Sequence, residues 1–579
     1  MAKIAGWGGR LCLLVFALLV GYSLVLSSDN FVDNPFGRST SVYGQYLAAR
    51  HAGANQDFST ATDYYGEILK QDSEKEALLK EIMRFTLSNG NVEESISFAR
   101  RVHAVDSKDA LSLIILSAEQ IKEGYPARAL TYFDTVEGQP TQFLAHLGSA
   151  WALWDKGAVD EALTHLEKPQ SASLYSSLQR FHRALMLDLS GRSDVADKVF
   201  SSLVQQADNL SPRVVQAYGI FLEREGRTEE ARALYEKFLK TYPNYIPVIV
   251  ALAQVDESSP SHLVRNGREG YAEILYGWGN LLILNQDLNG ALLNFRLALY
   301  MRTTMTIAVV KMGEVYENLE RWPEAITVLD GIEPDNDFYY SAQIQSGNSL
   351  NEEGNIEGAV ARLKNLQNLF PDRRETYRVL GDIYREHNRY DEAEEQYSQS
   401  LAIGGVAEPS DWPLYYARAI AYERTGQWMK AEQDLKQALV LSDRHPLILN
   451  YLGYSWIDQG MHLEEGLDML KEALERWPYD GFITDSVGWA WYRLGDYNQA
   501  VEYLERAVAL EPGDPVINDH LGDALWRVGR HIEARYQWRH ALNSEPEEDR
   551  VKPIKKKIIM GLVGVDIDEE AKAAFYDVQ

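Results

Sequence analysis

At 579 residues, the chain is long enough for about four ordinary domains of roughly 150 residues, unless it is a repeat array. It carries 57 Lys and Arg against 85 Asp and Glu, a formal net charge of −28 that argues against nucleic acid as a partner. A single cysteine, Cys12, excludes an internal disulfide framework and a Cys-based zinc site, and 45% hydrophobic content argues against disorder.

Residues 1–27 read as a targeting segment. Lys3 and Arg10 precede an uncharged apolar run from Leu11 to Leu26, and polar residues follow. This is the order of an export signal, and the run is shorter than the ~18–20 residues of a spanning helix. No A-x-A site occurs; Val25 and Ser27 before Ser28 come nearest. A cleaved signal peptide and an uncleaved N-terminal anchor are therefore both open. Either reading places the chain outside the cytoplasm, in a periplasm or anchored in the inner membrane facing it. Membrane contact is expected only through this segment. Cys12 lies at the start of the run, not after it, so it does not read as a lipid-attachment site. Residues 28–41 read as a linker.

Past the linker, one pattern recurs. Gly488, Trp491, Gly495, Ala500, Leu504, Ala507 and Pro512 are followed 34 residues later by Gly522, Leu525, Gly529, Ala534, Trp538, Ala541 and Pro546. The pattern resembles the tetratricopeptide repeat (TPR), which implies a helix–turn–helix unit with small residues at positions 8 and 20. Position 20 falls on Ala61, Ser95, Ala129, Ala162, Ala196, Ala231, Ala291, Ala325, Ala359, Ala393, Ala431, Gly466, Ala500 and Ala534. Successive marks lie 33 to 38 residues apart, with one step of 60. The fold expected is all-α: a TPR α-solenoid, a right-handed superhelix of about 14 repeats.

The job of each position is physical. Small residues at 8 and 20 let two helices cross closely. Gly at 15 ends helix A in the left-handed conformation, as at Gly124, Gly426 and Gly529. Pro at 32 ends helix B, as at Pro371 and Pro512. The 60-residue step holds one helix-like stretch, Ile246 to Val255, and a Ser/Pro/Gly-containing loop. The expected organisation is an N-terminal array of six repeats over 42–245 and a half-repeat and loop over 246–271. A C-terminal array of eight repeats over 272–548 follows, then a capping helix and tail over 549–579.

No nucleophile-elbow, zincin, dinucleotide or phosphate-loop motif occurs, and the twelve His are scattered. The expectation is no catalysis, no cofactor, no metal and no small-molecule substrate. Acidic pairs such as Glu229–Glu230 and Glu464–Glu465 sit where they suit the dipole at the start of helix B. The run Lys555–Lys557 reads as a solvated helix end.

The TPR resemblance implies that positions 2, 5, 9, 12 and 13 of helix A line a concave groove that holds partner proteins or peptides. In the last three repeats these positions include Asn450, Tyr454, Asp485, Trp489, Tyr492, Arg493, Asp519, Asp523, Trp526 and Arg527. Aromatics beside Arg and Asn/Asp match the composition of binding hot spots. Trp489 and Trp526 either face the groove or pack between adjacent A helices. Asp485 and Asp519 either accept from a partner's amides or pair with Arg493 and Arg527.

The strings LNYLGYSWIDQG and DSVGWAWYRLGDYNQAVEYLERAVAL further resemble exported many-repeat TPR proteins of Gram-negative envelopes. That group includes the lipoprotein adaptor of a carboxyl-terminal processing protease; this chain lacks a lipid-attachment cysteine. The resemblance implies a non-catalytic protein-binding scaffold of the cell envelope. Alternatives are an adaptor presenting envelope proteins to a protease and an inner-membrane-anchored structural tether.

Overall fold

The computed structural model describes residues 41–55, 57–70, 75–167, 173–205, 211–243, 245–256 and 260–562. The targeting segment, linker residues 28–40 and tail residues 563–579 lie outside the described residues. Among the described residues there are thirty α-helices, one short 3-10 turn and no strand. Helices pair in sequence, from Val42–Ala54 with Phe58–Leu69 to Pro515–Arg527 with His531–Asn543. Fourteen pairs form, with the single helix Ile246–Gln254 between the sixth and seventh, and Glu548–Met560 follows the last. Among the described residues the fold is all-α, a succession of helix–turn–helix pairs as the repeat predicts.

The small-residue rhythm is the packing rhythm. Thirteen of the fourteen position-20 residues, Ala61 to Ala534, have no exposed surface, and Gly466 is buried. Each sits where the two helices of a pair cross, and the volume beside it is filled from position 24. Tyr235, Phe295, Tyr397 and Trp538 are fully buried there. At position 15 the expected glycines adopt φ between 71° and 91°. Three pairs make the same turn without glycine: Gln286 (φ 63°), Glu320 (57°) and Asn388 (58°). Pair geometry therefore forces the left-handed turn even where the side chain resists it.

The chain divides into two compact units, 1–315 and 316–579. This division falls later than the 246–271 break. The loop in that break is also shorter than expected, because the helix Gly267–Leu284 begins inside it. Asn266 caps that helix, its Oδ1 accepting the Glu269 N–H at 2.9 Å, and the Glu269 carboxylate pairs with Arg265 at 2.5 Å. Leu263 and Val264 are buried, so most of the loop's apolar surface is already covered.

Candidate functional site: the concave groove

In the first unit, several groove positions are covered from within, beside a cavity of about 440 Å³ that remains between Arg50, Arg84 and Asn289. The seventh pair, Gly267–Leu284 with Leu288–Met301, packs on helices of the second, third and fourth pairs, not only on its own partner. Asp155, at position 13 of the fourth pair, accepts the Gly267 N–H at 2.7 Å. Trp151, at position 9, lies against Gly270; a Cβ there would stand 2.2 Å from the indole. Trp278 meets Phe143 and Tyr175 at ring-centroid distances of 6.1 and 5.9 Å. Lys122, at position 13 of the third pair, sits 3.3 Å over the Tyr300 ring. Arg213, at position 2 of the sixth pair, donates twice to Glu273, from Nε to Oε2 at 2.9 Å and from the guanidinium to Oε1. The Glu273 side chain has no exposed surface. A buried, bidentate, charge-assisted pair of this kind fixes register.

In the second unit the groove narrows to a cavity of about 290 Å³ over the last three pairs. Helices Pro446–Asp458, Gly481–Leu494 and Pro515–Arg527 supply most of its wall, and Glu548–Met560 supplies Arg550 and Lys557. Seven of the ten expected residues line it: Tyr454, Trp489, Tyr492, Arg493, Asp519, Asp523 and Arg527. Trp489 is the middle of a three-ring stack. Tyr492 lies 4.8 Å away at 8°, and His520 lies 4.1 Å away at 15°.

Charge is arranged in layers behind that stack. His520 Nδ1 meets both Asp485 oxygens at 3.0 Å. Burial alone would lower the His520 pKa, but Asp485, then Asp519 and Asp523, outweigh it and raise it. Lys557 donates to Asp519 at 2.8 and 3.0 Å and to Asp523 at 2.8 Å. Two carboxylates thus share one ammonium. Burial, with Asp519 alongside, pushes the Asp523 carboxyl up to about 6. Trp538 Nε1 donates to the other Asp523 oxygen at 2.9 Å. Toward the rim, Arg493 donates to the Asp458 carbonyl at 2.7 Å, and Arg527 donates to the Tyr492 hydroxyl at 3.3 Å.

Three expected residues lie elsewhere. Asp485 is buried on His520, so it pairs with neither arginine, and Asp519 pairs with Lys557 instead of an arginine. Trp526 packs on His531 at 4.1 Å and on Trp538 at 5.5 Å, both on the B helix of its own pair, and does not line the cavity. Asn450 is half-buried outside the cavity lining, its Oδ1 without a partner.

Sequence reasoning missed His520, Tyr497, Arg550, Lys557 and Leu562. The expected solvated run is split, with Lys555 and Lys556 exposed and Lys557 turned inward. The signal was present: Arg550, Ile554 and Lys557 recur at i, i+4 and i+7, one helix face, and Ile554 is fully buried.

Tetratricopeptide-repeat family profiles match residues 407–547, 345–407 and 212–255. These three segments carry tetratricopeptide repeats. The chain is similar to the TPR repeat-containing protein PA4667 of Pseudomonas aeruginosa, at 27% identity over 194 residues, 33% of this chain and 32% of that one. It is also similar to the formate-dependent nitrite reductase complex bifunctional subunit NrfFG of Haemophilus influenzae, at 29% identity over 135 residues, 22% of this chain and 34% of that one. The matched part spans about a third of the length of each of these curated relatives. Among solved structures, the APC/C hetero-tetramer Cut9–Hcn1 aligns over 90% of this chain and 96% of that one, at 12% identity and TM-score 0.36. TPR proteins typically bind other proteins or peptides and are generally non-catalytic scaffolds.

Proposed function

We propose that this TPR protein is an exported, non-catalytic scaffold of a bacterial cell envelope that holds a partner protein or peptide in the groove of its C-terminal pairs. One observation carries the choice of site. The cavity of the second unit sets the stacked rings of Trp489 and Tyr492 beside Arg493 and Arg527, whereas the first unit covers groove positions of its third and fourth pairs with its own seventh pair and keeps a cavity beside Arg50, Arg84 and Phe85. Rigid aromatic faces supply contact area at small entropy cost, and guanidinium forks supply directional bonds to carboxylate or carbonyl oxygens. The overall acidity of the chain steers neutral or basic partners better than acidic ones, so the arginines serve local specificity.

Export and envelope location rest on the order of Lys3, Arg10 and the run Leu11–Leu26. The tether alternative rests on the same run, because no A-x-A site follows it. Mass spectrometry of the mature N-terminus separates them: loss of residues 1–27 supports a periplasmic scaffold, and retention supports a tether. The binding site is tested by affinity capture from crosslinked envelopes. Arg493→Ala with Arg527→Ala should lose partners while helicity and melting stay nearly unchanged. Undiminished capture would place the binding site elsewhere.

A further inference from the structure

The first unit keeps a cavity of its own, in the groove of its first two pairs. Arg50 and Arg84 both hold position 9 there, Gly53 and Ala54 hold positions 12 and 13 of the first pair, and Ser88 holds position 13 of the second. The helix Leu288–Met301 returns along one side and brings Asn289 and Leu293. Beyond the second pair the groove is covered, where Lys122 meets the Tyr300 ring and Asp155 meets Gly267. The cavity is therefore a dead end, and an extended chain cannot run on through it along the groove. Its volume of about 440 Å³ lies within the ~300–1,000 Å³ of small-molecule sites.

The lining is of two kinds. Phe58, Tyr65 and Phe85 are buried and nearly parallel, Phe85 standing 5.0 Å from Phe58 at 19° and 6.2 Å from Tyr65 at 16°. Gly53 lets Phe85 close in, since a Cβ there would stand 2.8 Å from the ring. The two arginines are exposed. Arg84 pairs with Glu81, whereas Arg50 donates to the Tyr46 hydroxyl at 3.3 Å and makes no ion pair among the described residues.

We propose that this cavity binds a small aromatic monocarboxylate, its carboxylate at Arg50 and its ring against Phe58 and Phe85. Two arginines face one carboxylate, Glu81, so the lining has room for one more negative charge. A guanidinium takes a carboxylate through two parallel N–H bonds. Three rings and one leucine favour an aromatic body, because ring pairs gain from offset or edge contacts beyond the area they bury. The net charge of −28 repels anions at long range, so the site selects by contact and not by steering. With Arg50 on the first pair and Asn289 on the seventh, the ligand ties the two together.

The test is calorimetric titration of the full chain with phenylbutyrate as the probe. Binding should be saturable. Phenylbutylamine, with its charge reversed, should not bind, and cyclohexylbutyrate should bind roughly fivefold more weakly. Arg50→Ala should weaken the probe about tenfold. Ala54→Trp, at an exposed position, should fill the cavity and abolish binding. Hydrogen exchange with and without the probe locates the site: protection should rise in both Val42–Ala54 and Leu288–Met301. No saturable binding, equal binding of the amine, or unchanged affinity in Arg50→Ala would each overturn the proposal. So would protection gained in residues 446–562 alone, or binding of a peptide ending in phenylalanine without binding of the probe.

Discussion

The carboxylate of Asp155 accepts the backbone N–H of Gly267 at 2.7 Å, across 112 residues of chain. Position 13 of a repeat, where a partner's main chain would be expected, is thus bonded to the protein's own. The contact requires a bare backbone: Cβ atoms at Gly267 and Gly270 would stand 2.4 Å from Asp155 and 2.2 Å from Trp151. Trp151 is itself fully buried and cannot retreat. Gly270→Ala should therefore cost about 1–3 kcal/mol by overpacking. Hydrogen exchange should locate the loss in the first compact unit, with protection of residues 446–543 unchanged.

The ion pair of Arg213 and Glu273 gives a second test of the same packing. Removing one partner of a buried pair leaves the other charge uncompensated, at about 3–5 kcal/mol. Glu273→Ala should lower the melting temperature of the first unit well beyond the effect of Arg265→Ala, whose side chain is 62% exposed. Equal effects would show that the seventh pair is only loosely held.

Much of this fold was legible because position 20 tolerates almost nothing but Ala, Ser or Gly, and that restriction repeats in phase. The groove positions of the C-terminal pairs followed from the same register, so seven of ten expected residues meet in one cavity. What the register could not show is contact between pairs distant in sequence. Glu273 reads as an ordinary position-2 residue of the seventh pair until Arg213 is brought against it. Lys557 reads as one more lysine of a basic run until Asp519 and Asp523 face it. Trp526 reads as a groove residue like Trp489 until His531 and Trp538 are found against it.

Local repeat coupling predicts how far damage spreads. Ala500 is fully buried where its pair crosses, so Ala500→Leu should cost about 1–3 kcal/mol. Pairs touch mainly neighbours, so exchange protection should fall in residues 481–510 and adjacent pairs alone. Uniform loss across the chain would refute this.

Limited proteolysis should spare the 260–270 stretch, where Leu263 and Val264 are buried and helix begins at Gly267. The exposed turn Gly404, Gly405 and Val406 offers a better substrate, Val406 being 88% exposed. Mapping the first cut checks the comparison. Early cleavage within 263–270 would mean the seventh pair opens readily.

The buried charge cluster predicts a pH dependence of definite sign. Asp523, pushed up to about 6, and His520, raised by its carboxylate neighbours, both hold protons more tightly folded than unfolded. Their stabilisation is full below the unfolded values, roughly 4 and 6.5, and is lost as pH rises through the folded ones. Protection of the last pairs should therefore fall between about pH 4 and 6, and fall again above about 6.5. Asp523→Asn keeps an oxygen for the Trp538 indole, so it should flatten the lower limb and, by removing the least of the charges that raise His520, weaken the upper limb only slightly. An unchanged lower limb would remove Asp523 from the account.

The central claim is that partners are held at the C-terminal cavity and not on the outer surface. A photoreactive residue in place of Asp458, whose side chain is 56% exposed at the cavity wall, tests it most directly. Ile532, 87% exposed on the last B helix, serves as the outer-surface control. The account predicts partner adducts from position 458 in irradiated cells and none from position 532. Adducts from 532 with none from 458 would contradict it.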